Sequence, residues 1–289
     1  MLEVVVTGTG TPAPTPDRAG AGVLVLAGEW ALQFDAGRAT TMRLAAAEVP
    51  LASLDVLFVT HHHSDHLVGV PDLVMTRWIT LADKPLPIYT PDGPGARLLG
   101  RLLDAWDEEL DQRRRHAGRA SVPIMDVHTF HGSDKPIVVW QRGEVTVRAV
   151  TVRHIEPSVA YRVDTPSGSV VVSGDTRVCP ELEALASGAD IVVHEICRRA
   201  PLVGTPFEFV ADIHADSIDL GGLAARAKIG QLVLTHLVPP PLDDQDAEAF
   251  VTDVRAGGYD GAVHVGVDLL RVAVNSDSAA GDDSARSRG

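Results

Sequence analysis

The chain has 289 residues, 45% of them hydrophobic, and a formal net charge of −14. That length and composition support a sizeable core in one large domain or two small ones. The acidic balance argues against a broad nucleic-acid-binding surface, which would be basic. Two cysteines, Cys179 and Cys197, are too few for a disulfide framework and point to a reducing cytoplasm. No apolar run approaches the ~18 residues of a membrane span. Residues 1–8 begin directly as a strand, without the basic and apolar regions of a signal peptide.

In chain order, residues 2–7 form a β-rich run ended by Gly8-Thr9-Gly10. Pro12, Pro14 and Pro16 then make the segment to Gly22 a loop. Residues 23–26 and 30–34 read as strands, and Asp35-Ala36-Gly37 ends the second. Asp35 is read as a turn residue or a support for a ligand rather than a ligand. Residues 39–47 suit a short helix. Residues 54–59 are an apolar strand that delivers Thr60-His61-His62-His63-Ser64-Asp65-His66.

Four imidazoles and one carboxylate in that motif are ligand types that suit zinc. In an extended backbone, alternate side chains point to one side. His61 and His63 can therefore share one metal while Asp65 and His66 reach a second. His62 falls on the opposite parity and is not counted as a ligand.

Residues 67–81 read as helical after Pro71, 86–90 as a strand and 91–95 as a turn. Residues 96–110 read as one amphipathic helix, with Leu98, Leu99, Leu102, Leu103 and Trp106 on its apolar side. Glu108, Glu109 and Asp111 precede Arg113, Arg114 and Arg115, an order that suits the helix dipole. Two readings stay open: a solvated helix end, or arginines that overhang a site and select an anion. His116, His128 and His131 read as surface or rim residues, and 96–120 as the place for a lid or a dimer contact.

Residues 143–152 alternate as a strand followed by His154. Residues 159–163 and 169–173 read as a hairpin that leads to Asp175. A helix over 181–187 and a strand over 191–193 lead to His194-Glu195. A helix over 215–228 opens just after His214, and a strand over 231–235 ends at His236. A helix over 243–256 and two short strands within 263–274 complete a single domain, 1–274. The Ser-, Asp- and Gly-rich tail, 275–289, reads as disordered.

The 60–66 motif resembles the HxHxDH signature of metallo-β-lactamase-fold hydrolases. With Thr60 and Ser64 it most resembles the ribonuclease Z and arylsulfatase-like branch, and the likeness extends over about residues 1–272. It implies an α/β fold, a four-layer αβ/βα sandwich with metals at one edge between two sheets. It also implies two Zn²⁺ ions, with Mn²⁺ or Fe²⁺ as alternatives. His61, His63 and His154 would hold one ion, Asp65, His66 and His236 the other, and Asp175 would bridge them. Where the branch shows His, five residues, then Gly-Tyr-Arg, this chain has His154 and then Ala160-Tyr161-Arg162. His194-Glu195 resembles the His-Glu-Ala element of ribonuclease Z, and His214 its His-Ser-Thr element. The resemblance thus makes His214 the group that assists at the leaving oxygen, Glu195 its orienting partner, and Asp65 a guide for the proton of the attacking water.

The function implied is a dinuclear zinc hydrolase in which a metal-bound hydroxide attacks a small anionic ester, a phosphodiester or an aryl sulfate. The alternative is a lactonase, thioesterase or other acyl hydrolase, with Trp78 or Trp106 lining the pocket. A tRNA 3′-end endonuclease and a non-catalytic metal-binding protein rank below these. Ribonuclease Z enzymes that process tRNA usually carry a Gly-rich arm before the Gly-Asp element. Here only residues 163–172 separate Arg162 from Ser173-Gly174-Asp175. With the acidic balance, this points to a small-molecule ester as partner and away from nucleic acid. The resemblance leaves room for a homodimer.

Overall fold

Strands that are apolar on both parities must be buried on both faces. In the computed structural model, which describes residues 1–82 and 84–274, the first strand does this. Val4 and Val6 join the core between two sheets, while Val5 joins the core beneath the helices of one side.

In chain order the first seven strands are β1 (Leu2–Gly8), β2 (Gly22–Ala27), β3 (Trp30–Phe34), β4 (Val56–Phe58), β5 (Pro87–Pro91), β6 (Asp126–Phe130) and β7 (Ile137–Arg142). The others described are β8 (Val145–Thr151), β9 (Val159–Thr165), β10 (Gly168–Val172), β11 (Ile191–Cys197), β12 (Gln231–Val238), β13 (Ala262–Val265) and β14 (Arg271–Ala273). One sheet has the order β14-β1-β2-β3-β4-β5-β6, the other β13-β12-β11-β10-β9-β8-β7. The helices are α1 (Thr40–Ala46), α2 (Ser64–Leu67), α3 (Val70–Ile79), α4 (Pro94–Leu99), α5 (Asp107–His116), α6 (Pro180–Ala186), α7 (Ser217–Ala227) and α8 (Asp244–Ala256).

Three apolar clusters define four layers. Phe34, Phe58, Tyr161, Val170 and Val193 fill the space between the sheets. Leu44 of α1 and Leu73 of α3 cover the outer face of the first sheet. Leu182 of α6, Leu223 of α7 and Phe250 of α8 cover the outer face of the second. The chain is thus the α/β four-layer sandwich expected. The expectation of a disordered tail, 275–289, lies outside the described residues.

Parallel strands concentrate the site at one edge. β3, β4 and β5 run parallel, as do β10, β11 and β12. The loops after β4, β8, β10 and β11 and the last residues of β12 carry the chemistry-bearing residues, most of them at the carboxyl ends of parallel strands, where sites are usual.

Three sequence expectations change. The helix expected over 96–110 is two pieces, α4 and α5, separated at Gly100 and a 3-10 turn, Asp104–Trp106. Leu99 and Leu110 are buried, but Leu98 and Trp106 are exposed, so no continuous apolar face holds one helix together. Strands β6 and β7 have no counterpart in the sequence reading. Each is the last strand of its sheet and mostly half-buried or exposed, so it lacks a clean alternating pattern. Strands β11 and β12 run on past 193 and 235, through Glu195 and His236.

Ala160, at the position where the branch has glycine, lies inside β9 opposite Val150 and is fully buried. Extended backbone there needs no glycine. The neighbouring Tyr161 packs against Phe34 and Phe58 and donates its hydroxyl to the Val59 carbonyl at 2.7 Å. That bond ties the second sheet to the stretch that enters the histidine motif.

Candidate metal centre

The motif does not stay extended. His61 and His63 lie on the segment leaving β4, and His63 caps α2, whose first turn carries Asp65 and His66. The helix turns these two toward the same cleft that His61 and His63 face. Later strands add His154 after β8, Asp175 after β10 and His236 in β12.

His236 depends on an irregularity. The pairing of β11 with β12 shifts register between Glu195 and Ile196, so Glu195 faces Thr235 but Ile196 faces Leu237. His236 is the additional residue, in the left-handed region with φ 45°. Such bulges re-aim a side chain, and here the imidazole turns into the cleft.

Ligand-atom spacing makes three groups, two of which hold the expected ligands, while the third joins His214 to Asp175 and His236. Atoms of His61, His63, His154 and Asp175 all lie within 4.8 Å of one another, as do those of Asp65, His66 and His236. His154 Nε2 is 3.1 Å from His63 Nδ1, and His236 Nε2 is 3.2 Å from Asp65 Oδ2. Asp175 Oδ2 lies 3.3 Å from His66 Nε2, 3.5 Å from His236 Nε2 and 3.8 Å from both His61 Nε2 and His154 Nε2. Two ligands of one tetrahedral ion with bonds of about 2.0–2.1 Å sit about 3.3 Å apart. The observed spacings match that edge length.

Orphaned atoms point the same way. His61 Nε2, His66 Nε2 and Asp175 Oδ1 are buried without a hydrogen-bond partner among the described residues. Buried polar atoms are costly when unpartnered, and a cation would satisfy them. Burial, then the neighbouring His66, holds the His61 imidazole well below its ordinary range, the neutral form a metal requires. At His66 burial also disfavours the charge, but Asp175 and Asp35 outweigh it and push its pKa well above the ordinary value. Two carboxylates facing one imidazole create a negative potential that suits a cation. The residues present therefore fit a divalent metal centre.

Three of the other ring nitrogens are anchored. His61 Nδ1 is 3.0 Å from Thr60 Oγ1, His66 Nδ1 is 2.7 Å from Asp35 Oδ2, and His154 Nδ1 donates to the Ile213 carbonyl at 2.9 Å. Asp35 also accepts from the Thr60 amide and hydroxyl, at 2.8 and 2.7 Å. Such outer contacts fix tautomer and ring orientation. Asp35 thus orients His66 and belongs to no donor group. The Ile213 anchor is a backbone atom, so no side-chain signal in the sequence could have marked it.

His214 stands beside the centre, its ring centroid 5.0 Å from that of His154 and 5.3 Å from that of His236. Its Nδ1 is 3.2 Å from Glu195 Oε1, within ion-pair reach though off the line of a good hydrogen bond. Glu195 Oε1 accepts from the amides of Thr176 and Ala215, both at 3.0 Å, which fixes the carboxylate. Burial pulls the His214 imidazolium down, but the Glu195 charge and contact, with Asp175, push its pKa up to about 9.

Other sequence candidates lie outside these groups. His62, His116, His128 and His131 contribute to no donor group among the described residues. His128 stacks on Tyr89, and His131 is exposed beside Asp92. Arg113 pairs with Glu109, while Arg114 and Arg115 pair with Asp111. These pairs lie within α5, as the solvated-helix reading has it.

Comparison with known proteins gives these residues a context. The family described as beta-lactamase superfamily domain matches residues 30–237. A Mycobacterium bovis (strain BCG / Pasteur 1173P2) protein named Ribonuclease Z is 36% identical, over 95% of this chain and 99% of its own length. A Mycobacterium avium (strain 104) protein of the same name is 37% identical, over 96% of this chain and 100% of its own. Among solved structures, the metallo-beta-lactamase fold protein YhfI from Bacillus subtilis superposes with a TM-score of 0.71 at 21% identity, covering 94% of this chain and all of that one. The short form of human tRNase Z superposes at 0.68 with 19% identity, covering 94% of this chain and 99% of that one. These two show the fold.

The relatives correct one expectation. Composition and the missing arm pointed away from nucleic acid, but both of these relatives carry the name of a ribonuclease. An alignment of 287 positions that takes in 95% of this chain and 99% of the M. bovis protein leaves no place for a long arm in one and not the other. A short hairpin between β9 and β10 therefore does not set this chain apart from proteins so named. Net charge, for its part, averages the whole surface and says little about one cleft lined to hold cations.

Proposed function

The chain belongs to the β-lactamase superfamily and, within it, to the ribonuclease Z family, which makes it a metal-dependent hydrolase acting on ester bonds. From that premise we propose that its bond is an RNA phosphodiester and that its cofactor is a pair of zinc ions. One observation carries the reading: Asp175 Oδ2 lies within 3.8 Å of imidazole nitrogens from both groups of expected ligands, as a carboxylate shared by two ions must. The ligands proposed are His61, His63 and His154 on one side, Asp65, His66 and His236 on the other, and Asp175 between them.

Bound there, the ions would neutralise a phosphodiester and activate water at neutral pH. The protein's own groups do the rest. Glu195 holds His214 by its Nδ1, which leaves Nε2 to donate a proton to the leaving oxygen. Asp65, buried and 3.2 Å from His236 Nε2, would accept the proton of the attacking water. Buried side chains around the centre, among them Thr60 and Tyr161, keep bulk water from its inner side. The reducing cytoplasm proposed for it suits two free, buried cysteines.

The test is cleavage of a short single-stranded RNA and of ethyl p-nitrophenyl phosphate by the zinc-loaded protein, with metal counted on the same sample. Two zinc ions and cleavage of both substrates are expected. Turnover of the small ester with every RNA left intact would overturn the RNA assignment. Fewer than two ions in an active protein would overturn the shared role of Asp175.

A further inference from the structure

The segment 198–214 leaves β11 and returns beside it, where the Cys197 amide donates to the Ala215 carbonyl at 2.7 Å. Leu202, Val210 and Ala211 pin it from beneath against Cys197 and Val238. It is a compact loop with its ends together, a form that frequently carries function. Its last residues are the Ile213 that anchors His154 and the His214 beside the metal centre.

The outward side of this loop carries large exposed apolar side chains among its polar ones. Phe207 is 63% exposed, Phe209 62% and Val203 60%. Phe34, Phe58 and Phe250 are buried, and Phe130 is half-buried, so the fold does bury phenylalanine elsewhere. The next loop, after β12, adds Leu242 at 90% exposure. β11 and β12 are neighbours, Cys197 opposite Val238, and carry Glu195 and His236. The two loops therefore rise together from the strand ends that build the centre. Phe209 precedes Ile213 by four residues of mainly 3-10 backbone, roughly 8 Å of rise.

RNA is ordinarily held by lysine and arginine on its phosphates. In this loop the cations are already engaged, Arg198 with Asp253 and Arg199 with Asp212. What the loop adds to RNA affinity must then be a contact that needs no charge. Stacking of bases on exposed aromatic rings is such a contact, and it tolerates any sequence.

We propose that Phe207 and Phe209 form a stacking subsite for the nucleobase of the nucleotide that carries the leaving oxygen. The side follows from chain continuity, because the loop runs directly into His214. The inference rests on the RNA phosphodiesterase reading and names how that substrate is held.

The experiment is steady-state cleavage of a short single-stranded RNA by the zinc-loaded native protein and by Phe207→Leu, Phe209→Leu, Phe207→Trp and Phe209→Trp. Ethyl p-nitrophenyl phosphate is run in parallel, and molecular mass is read by light scattering. The leucine variants should raise KM for RNA about 10- to 100-fold, with a smaller change in kcat, and the tryptophan variants should restore it. An abasic nucleotide in the fragment that ends in a free hydroxyl should reproduce the leucine effect, and one in the other fragment should not. KM should also depend on salt less steeply than for a protein held by phosphate contacts. Equal KM for the native, leucine and tryptophan proteins would overturn the subsite while leaving RNA cleavage in place. A KM change that tracks a change in mass would make the surface a contact between two copies and also overturn stacking. Turnover of the small ester with no RNA cleavage would remove the RNA reading and the subsite with it.

Discussion

Asp35 Oδ2 lies 2.7 Å from His66 Nδ1, and both side chains are buried. The carboxylate thereby fixes which nitrogen of His66 is left for a cation, and from the end of β3 it also holds the Thr60 amide and hydroxyl. One residue that touches no metal thus orients the start and the end of the histidine motif.

Replacing it with its amide tests this. Asp35→Asn can still accept from the Thr60 amide but removes the charge facing His66. Zinc affinity should fall about 10- to 100-fold, measured by competition with a chelator, while the far-ultraviolet circular dichroism spectrum stays native. An unchanged affinity would show that His66 needs no such partner.

His214 separates chemistry from metal binding. His214→Ala should retain the native zinc content and lose about 10²- to 10⁴-fold in kcat, the usual contribution of a positioned acid. Loss of zinc would instead make His214 a ligand, which its place in a third donor group with Asp175 and His236 allows. Glu195→Gln should give a smaller loss, because an amide oxygen can still accept from Thr176 and Ala215.

Tyr161 should matter to stability rather than to metal. Tyr161→Phe keeps the ring among Phe34 and Phe58 but deletes the donor to the buried Val59 carbonyl. The cost should be about 1–3 kcal/mol in urea unfolding, with zinc content retained. A neutral result would mean that the carbonyl finds another partner.

Cys197 gives a pH signature. Burial, with Glu195 and Asp216 nearby, raises its thiol from 9.0 to about 12. The unfolded chain therefore releases this proton first as pH rises. The contribution is fully present below about pH 9 and is lost progressively between about pH 9 and pH 12. Cys197→Ala should flatten the alkaline decline in stability. At pH 8, iodoacetamide should leave Cys197 unmodified in the folded protein and label it after denaturation.

How much of this was legible in the sequence depends on what set each feature. His61, His63, Asp65 and His66 stand out by type and spacing in one short motif, whereas His154, Asp175 and His236 could be named only through the resemblance to metallo-β-lactamase-fold hydrolases. Local rules also found the helix 40–46 and the hairpin of β9 and β10, where apolar periodicity and turn residues agree. They failed where tertiary context decides. β6 and β7 are strands because they pair with β5 and β8, not because their residues alternate. α4 and α5 separate because Leu98 and Trp106 have nothing to pack against. The bulge at His236 is set by neighbouring strands and leaves no mark in composition. The direction of the partner inference failed for a related reason: net charge is a sum over the surface, and a substrate meets only part of it.

The register shift between β11 and β12 has a consequence for how this chain could change. Thr235, His236 and Leu237 occupy a place where the facing strand spends only two residues, Glu195 and Ile196. A single deletion there would close the ladder and swing the imidazole off the cleft with every histidine of the motif intact. One proposed coordination position is thus encoded by counting rather than by side-chain identity, and a lineage could lose it without a substitution at any proposed ligand.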